Sequence, residues 1–243
     1  MVRVHYPAGA RAIGLSGEGP GLGWNGSLPM KNVGDDTWEL VMENVTAPVH
    51  VKPTLDGAPS RGPSYVVRPG GTVDLYPHFV ATRGKVVTRW GELRSKVHPL
   101  RDDIVRPIEV YLPPSYEENT VARFPVVYMM DGQIVFGSSA VVVAAMGDMR
   151  VDEALDEAAE SGAIAETIVV AIDSPLNLPP DVMADRNYEL TPTSARDPMG
   201  SIKRSGAGPA FLSMIVTELK PMIDARLRTR PGRESTSTSV TAR

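Results

Sequence analysis

Residues 124–133, Phe-Pro-Val-Val-Tyr-Met-Met-Asp-Gly-Gln, decide the fold class of this chain. The first seven, Phe124 to Met130, are apolar throughout, which is typical of a strand buried on both faces of a sheet. Asp131 and Gly132 then end the strand in a tight turn. In open α/β sheets the loops at the carboxyl ends of strands carry ligands, so Asp131, Gly132 and Gln133 become candidate site residues.

The segments around this strand alternate between strands and helices. Apolar runs predict further strands at 108–112 and 167–172, and apolar residues recur at helical spacing over 151–161 and 209–227. Pro221 is expected to kink the second helix, because proline has no backbone N–H to donate. Strands that alternate with helices predict a parallel or mixed sheet covered on both faces, which is an α/β fold.

The first 80 residues follow a different pattern, with short apolar runs between Gly- and Pro-rich turns and no sustained helical period. The predicted strands lie at residues 12–15, 38–42, 49–51, 65–67 and 73–76. Short strands joined by tight turns predict a small all-β sandwich in front of the α/β domain.

The predicted organisation therefore has four parts. Residues 1–82 form the β-sandwich, residues 83–105 form a linker with the first strand, and residues 106–230 form the α/β domain. Residues 231–243 contain many Ser and Thr side chains and almost no apolar ones. Such a segment cannot bury enough apolar surface to order itself, so a disordered tail is expected there.

Composition excludes several classes of partner. The chain has 243 residues, a formal net charge of −4 and no Lys/Arg cluster, which argues against nucleic-acid binding. It contains no cysteine, so disulfides and thiolate nucleophiles are excluded. The longest strongly apolar run, Ala140 to Met146, is too short to cross a bilayer, and the N-terminus lacks a signal core. We expect a soluble, cytoplasmic chain without membrane partners, whose oligomeric state the sequence leaves open.

Serine catalysis needs a nucleophile that this sequence does not offer. An α/β-hydrolase places its serine in a G-x-S-x-G turn, and the two nearest approaches, at 14–18 and 137–141, both lack the last glycine. That fold orders its triad Ser, acid, His, yet every histidine precedes the α/β domain: His5, His50, His78 and His98. No triad residue is identifiable, and the histidine spacing fits no metal motif, so neither metal nor cofactor is expected.

Several ordered motifs carry a family resemblance. Residues 106–116, Arg-Pro-Ile-Glu-Val-Tyr-Leu-Pro-Pro-Ser-Tyr, and residues 123–133 resemble the opening of the putative esterase family, most closely its enterochelin-esterase-like branch. Further similar motifs lie at residues 151–155, 168–173, 186–192 and 218–224. The family consists of α/β-hydrolases with a Ser-His-Asp triad, so the resemblance implies that residues 106–230 form a partial α/β-hydrolase sheet. The resemblance implies a serine carboxylesterase, a carboxylic-ester hydrolase that acts on a small-molecule ester.

The same resemblance implies roles for individual residues. The backbone N–H of Gln133 would help to hold the oxyanion, and Arg186 and Tyr188 would lie near the substrate pocket. In the family, a strand and a Gly-x-Ser-x-Gly turn follow an Arg-rich link like that at 226–233. Residues 235–243 contain neither. The chain is therefore expected to be truncated before the catalytic serine and to be catalytically incomplete.

The N-terminal region more weakly resembles starch-binding and glycogen-binding β-sandwiches, through Gly21-Leu-Gly-Trp24, Trp38 and His50-Val-Lys52. The resemblance implies that Trp24, Trp38 and Lys52 bind a glucan, although Trp also fills sandwich cores and Trp38 suits that place. An incomplete esterase and a non-catalytic carbohydrate-binding or interaction protein are thus both open. A third alternative is a non-functional fragment, whose exposed sheet edge would favour aggregation.

Overall fold

In the computed structural model, which describes residues 1–80, 82–94, 104–175, 184–192 and 206–239, the chain alternates between two units. Unit 1 comprises Met1–Lys85, Pro113–Arg123 and Glu153–Glu166, and unit 2 comprises Val86–Leu112, Phe124–Asp152 and Thr167–Arg243. The sequence predicted contiguous domains. In the structure, two segments of the predicted α/β domain belong instead to the unit that holds the N-terminal strands.

The described residues of unit 1 include nine strands. They are β1 (Val2–His5), β2 (Ile13–Gly17), β3 (Leu28–Pro29), β4 (Lys31–Gly34), β5 (Thr37–Leu40), β6 (Val49–Leu55), β7 (Ala58–Pro59), β8 (Tyr65–Val67) and β9 (Val73–Leu75). One sheet has the order β4-β5-β1-β9, and the other has the order β3-β2-β6-β7 with β8 paired to β6. Inward side chains of both sheets, among them Val4, Leu15 and Val51, form one buried cluster. The predicted sandwich is confirmed.

A short helix and a longer one complete unit 1. Helix α1 (Ser115–Glu118) is fastened by Glu118, whose carboxylate accepts the Tyr6 hydroxyl at 2.9 Å and the Phe79 and Val80 N–H groups at 2.7 and 3.0 Å. Helix α3 (Val151–Ser161) has the bounds predicted from its amphipathic spacing, and its residues from Glu153 onward belong to this unit. Both helices therefore come from segments that the sequence assigned to the α/β domain.

Unit 2 is built on one five-stranded sheet. Its strands are β10 (Lys85–Arg94), β11 (Val105–Leu112), β12 (Val126–Met130), β13 (Ile168–Ile172) and β14 (Thr236–Ser239), in the order β10-β11-β13-β12-β14. Strand β12 runs parallel to β13 and β14, and β11 runs antiparallel to β13. Every residue of β13 is buried, as expected for an apolar strand in a mixed sheet. The predicted α/β class is confirmed.

The helices of unit 2 are α2 (Ala140–Met146), α4 (Ala184–Leu190), α5 (Gly208–Met214) and α6 (Lys220–Arg226). A π-helical stretch, Ile215–Leu219, joins α5 to α6, so the long helix predicted over 209–227 is present but its middle is not α-helical. The stretch lies directly before Pro221, and both prolines and π turns are recognised places of helix bending. No helix in the described ranges is long and apolar enough to span a membrane.

Strand β14 corrects, for residues 236–239, the prediction of a disordered tail at 231–243 and of a missing strand after the Arg-rich link, while residues 240–243 lie outside the described residues. Its residues, Thr-Ser-Thr-Ser, pair in parallel with β12, so that Thr236 lies opposite Val126 and Ser239 opposite Met129. The prediction weighed only the lack of apolar side chains. An edge strand is held by main-chain hydrogen bonds to its neighbour, and its exposed positions suit polar side chains, with Thr favouring extended backbone.

Candidate active site

The turn after β12 places three predicted site residues at the carboxyl end of the sheet. Asp131 is buried and adopts a left-handed conformation with φ 59° and ψ 42°, which Asp tolerates better than most residues. A 3₁₀ turn, Gly132–Ile134, follows it. A Cβ on Gly132 would lie 2.8 Å from the backbone C and N atoms of Ile172 and from Asp173 Oδ1. Gly132 therefore lets the turn press against the end of β13.

The Asp131 carboxylate is fully engaged. Its two oxygens accept Arg186 Nε and Nη2, each at 2.6 Å, and Oδ1 also accepts the Ser174 hydroxyl at 2.7 Å. The hydrogen bond to Asp131 raises the pKa of Arg186 above its ordinary value. A bidentate, charge-assisted pair of this kind is strong and fixes the geometry of both partners. The pair cancels the charge of Asp131, so Asp131 is not a general base but a rigid anchor for the turn.

The Gln133 side chain is held on the same side of the sheet. It is 7% exposed, and its Oε1 accepts the backbone N–H of Ser174 at 3.1 Å. Because that N–H can only donate, the contact settles which end of the carboxamide is oxygen. The ends of β12 and β13 are thus tied together through Ser174, which contacts both Asp131 and Gln133.

A second ion pair, Arg106–Glu189, attaches helix α4 to the sheet and is more buried than the Asp131–Arg186 pair. Glu189 lies three residues after Arg186, on the same side of the helix, and pairs with Arg106 Nη2 of β11. The Arg106 Nη1 donates to the Asp173 carbonyl at 3.1 Å, and the guanidinium lies 5.3 Å from the centre of the Phe211 ring. Burial lowers the pKa of Arg106, and the charge of Glu189 opposes that shift. Arg186 therefore lies on a helix that the Glu189–Arg106 ion pair attaches to strand β11.

Asp173 directly follows β13 and is the most perturbed carboxyl of this region. Burial, together with the neighbouring charge of Glu109, raises the pKa of Asp173 from 3.8 to about 6, against the opposing effect of Arg106. Among the described residues, Asp173 Oδ1 has no hydrogen-bond partner. A carboxyl whose pKa is raised on folding favours the folded state only while it is protonated, so it opposes folding as the pH rises through 6.

We therefore expect Asp173→Asn to stabilise the chain above pH 6. Between pH 3.8 and 6 the folded state binds more protons than the unfolded state, so the stability of the parent chain falls as the pH rises. The variant does not lose stability in this way. Relative to the parent chain, its free energy of unfolding should be higher by about 1–2 kcal/mol at pH 7.5, after allowance for solvent screening, and almost unchanged at pH 4. Urea unfolding of the parent chain and the variant at pH 7.5 and at pH 4 measures this difference. Asp36→Asn, at an exposed turn, is the control, and an equal gain at both pH values would contradict the account.

The structure brings together four of the five residues predicted for the ester site: Asp131, Gly132, Gln133 and Arg186. Tyr188 is half-buried on α4 and lies two residues beyond Arg186, so it is turned roughly 200° about the helix axis from the Asp131 pair. Its placement in a substrate pocket stays a prediction.

The sequence reasoning missed Asp173, Ser174 and the Arg106–Glu189 pair. A signal for the first two was present, because Asp173 and Ser174 follow β13 just as Asp131 follows β12, and parallel neighbouring strands end at one edge. The pair itself joins residues 83 positions apart, which no local pattern reveals.

No catalytic triad forms among the residues that the structure describes. Ser174 donates to Asp131, whose charge Arg186 cancels, and the described histidines belong to unit 1. In unit 1, Ser115 and His78 both face Glu166, with Ser115 Oγ donating to Glu166 Oε2 at 2.6 Å and His78 Nδ1 lying 3.9 Å from that oxygen. A triad needs the serine to donate to the histidine, which this arrangement does not provide. His98 lies outside the described residues.

Over the described ranges, no group of three acidic or histidine side chains could hold a metal ion.

The predicted glucan-binding residues divide between two places in unit 1. Trp24, which is 49% exposed, and Lys52 line one cleft of about 580 Å³ together with Asn25 and Thr54. The Lys52 ammonium donates to the Gly62 carbonyl at 2.8 Å. Trp38 lies on β5 of the other sheet, packs against the core and donates its indole N–H to the Tyr6 carbonyl at 3.4 Å. Trp38 is thus half-buried against the core, which is nearer to the core position considered from the sequence than to an exposed binding face.

Comparison with known proteins gives a family and a set of structures. A sequence model of the family described as "Putative esterase" matches residues 104–241, more than half of the chain. No curated protein sequence matches. Three similar solved structures are enterobactin hydrolase IroE in complex with DFP, a ferulic acid esterase, and a ferulic acid esterase from Anaeromyces mucronatus in complex with ferulic acid.

The first is 19% identical, with 66% of this chain and 54% of that chain covered and a TM-score of 0.46. The second is 23% identical, with 66% and 49% covered and a TM-score of 0.41. The third is 19% identical, with 65% and 48% covered and a TM-score of 0.38. The chain thus spans about half the length of the solved structures that it matches.

Proposed function

The chain belongs to the Putative esterase family, and from that premise we propose that unit 2 supplies the carbonyl-binding half of a carboxylesterase site. The observation that supports the proposal is the turn from Asp131 to Gln133, which the Arg186 pair and the contact of Gly132 with β13 hold at the carboxyl edge of the sheet. Stabilisation of an oxyanion requires donors that are fixed before the charge develops. The backbone N–H of Gln133 is the donor proposed here.

The proposal assigns no nucleophile to these 243 residues. The sequence contains no G-x-S-x-G turn, and Ser174, which contacts the Gln133 turn, donates to a carboxylate that is already paired with Arg186. A serine without a neighbouring general base is not activated for attack. The chain is therefore proposed to bind an ester without hydrolysing it.

Gln133 is the sole glutamine of the chain, which makes the test specific. A chain labelled with ¹⁵N-glutamine gives one backbone amide signal, and we expect that signal to move saturably when phenyl acetate is added, because its N–H acquires the ester carbonyl as acceptor. Phenetole, which has the same skeleton without the carbonyl, should leave the signal in place. Phenol should appear no faster than in buffer. If the amide signal does not move when phenyl acetate is added, the proposal is wrong.

The cleft of unit 1 supports a second candidate function, non-catalytic binding of a glucan. An exposed indole beside a lysine and several hydroxyl and amide groups offers a stacking face with hydrogen-bonding groups around it, which suits a neutral sugar ring. This activity would be independent of the turn at Gln133.

We expect Trp24→Ala to abolish retention of the chain on immobilised amylose, because stacking supplies most of the contact area in such a cleft. The loss should be about tenfold or more in affinity, equivalent to about 1.4 kcal/mol. Affinity electrophoresis in gels with and without amylose measures it. Trp90→Ala is the matched control, since Trp90 lies on β10 in unit 2 and its ring contacts Arg226. An unmodified chain that is not retained at all excludes this function.

A further inference from the structure

We propose that the side-chain nitrogen of Gln133 is a second ligand-binding donor, and that it binds the uncharged carbonyl oxygen of an ester's acyl group. The inference rests on the proposed function, which uses only the backbone N–H of Gln133. It adds a side-chain donor at the same site and a class of ligand.

The side-chain nitrogen of Gln133 has an unmet hydrogen bond. Gln133 is 7% exposed, and its Nε2 is buried without any acceptor among the residues that the structure describes. A buried amide N–H without a partner costs about 1–3 kcal/mol, and native proteins rarely tolerate such a group without a function. An acceptor supplied by a ligand would remove that cost, which gives Gln133 a preference for the bound state.

The Gln133 carboxamide cannot rotate to give this nitrogen a hydrogen-bond partner. Its Oε1 is occupied by the Ser174 N–H at 3.1 Å, and Ser174 is fixed in turn by its hydroxyl contact with Asp131. Rotation of the amide by 180° would place the NH₂ group against another N–H donor. The free donor therefore keeps one direction, which is the property that distinguishes a binding group from a mobile polar side chain.

The charges around the turn favour an uncharged ligand. Arg186 is the cationic group that the described residues place against this turn, and its Nε and Nη2 both donate to Asp131, so its charge is largely compensated and attracts an anion only weakly. The nearby Asp173 carboxyl, which ionises near pH 6, would repel an anion above that pH. A neutral acyl oxygen accepts a hydrogen bond without meeting either obstacle, whereas a free carboxylate would be left with an uncompensated charge.

The ¹⁵N-glutamine sample tests the inference, because it also shows a single side-chain NH₂ pair. We expect one proton of that pair to move downfield and saturate with phenyl acetate, and to stay in place with phenetole and with sodium acetate. Binding of phenyl acetate should weaken about tenfold in Gln133→Met, which keeps the backbone N–H, while the weaker affinity for phenetole stays as it was. The melting temperature of Gln133→Met shows whether the variant is folded.

The possible outcomes separate this inference from the proposed function. If the backbone signal of Gln133 moves and its NH₂ pair does not, the inference is wrong and the proposed function stands. If neither signal moves, both fail. An NH₂ pair that exchanges magnetisation with a long-lived internal water, equally with and without phenyl acetate, would show that water alone satisfies the donor and would overturn the inference. A stronger response to acetate than to phenyl acetate would overturn the neutral ligand class.

Discussion

Replacing Arg106 with leucine should cost about 3–5 kcal/mol of unfolding free energy, the largest loss expected from any single substitution in unit 2. Arg106 and Glu189 each have a side chain that is 1% exposed, and they form an ion pair within the fold. Arg106→Leu would remove the countercharge that Arg106 supplies to the buried Glu189 carboxylate. The same change would remove the donor to the Asp173 carbonyl and the guanidinium that covers the Phe211 ring.

The double variant Arg106→Leu/Glu189→Leu is the control for this prediction. Because both charges are removed together, no uncompensated ion remains, and apolar side chains of similar size often replace a buried pair at little cost. We expect the double variant to regain more than half of the loss. Urea unfolding of both variants at pH 7.5 measures the difference. A double variant as unstable as Arg106→Leu alone would show that the guanidinium acts through packing and not through its charge.

Replacing Gly132 with alanine should cost about 3 kcal/mol and displace the turn that carries the proposed oxyanion donor. The added Cβ would lie 2.8 Å from two backbone atoms of Ile172 and from Asp173 Oδ1, closer than real Cβ contacts allow. Backbone atoms in the middle of a sheet cannot move aside as the end of a flexible side chain can. The clash must therefore be relieved by moving the turn, together with Asp131 and Gln133.

Gly91→Ala is the matched control for that variant. Gly91 lies on β10 in unit 2, and a Cβ at that position would meet no atom within 4 Å. We expect its unfolding free energy to equal that of the parent chain within about 0.5 kcal/mol. The Gln133 backbone signal should keep its position in Gly91→Ala and shift in Gly132→Ala even without ligand. If the two alanine variants are equally stable, β13 can move aside to make room for the added Cβ, and the prediction is wrong.

The elements predicted well from the sequence are those whose local pattern agrees with their place in the fold. Helix α3 has the predicted bounds because its apolar and charged faces are distinct. Strand β13 is apolar throughout because both of its faces are covered, whereas β12 is buried on one face and half-buried on the other. Strand β14 could not be predicted this way. Its polar residues carry no strand signal, and its conformation comes from the main chain of β12 beside it.

The candidate site could be predicted in its parts but not in its arrangement. Residues 131–133 were identified from their place after a buried strand, whereas Arg186 came from the family resemblance. That Arg186 and Asp131 neutralise each other depends on a helix 55 residues further along the chain, so the sequence could not show it. The same holds for Trp24 and Lys52, which share a cleft, and for Trp38, which does not reach it.

The central claim is that unit 2 binds the carbonyl of an ester at the turn of Gln133 and lacks the means to cleave it. The most direct measurement is the ¹H–¹⁵N spectrum of the ¹⁵N-glutamine chain during a titration with phenyl acetate. The account predicts one backbone amide signal that moves to a plateau while the ester remains intact at the rate of buffer alone. A signal that does not move, or a release of phenol that Ser174→Ala abolishes, would contradict it.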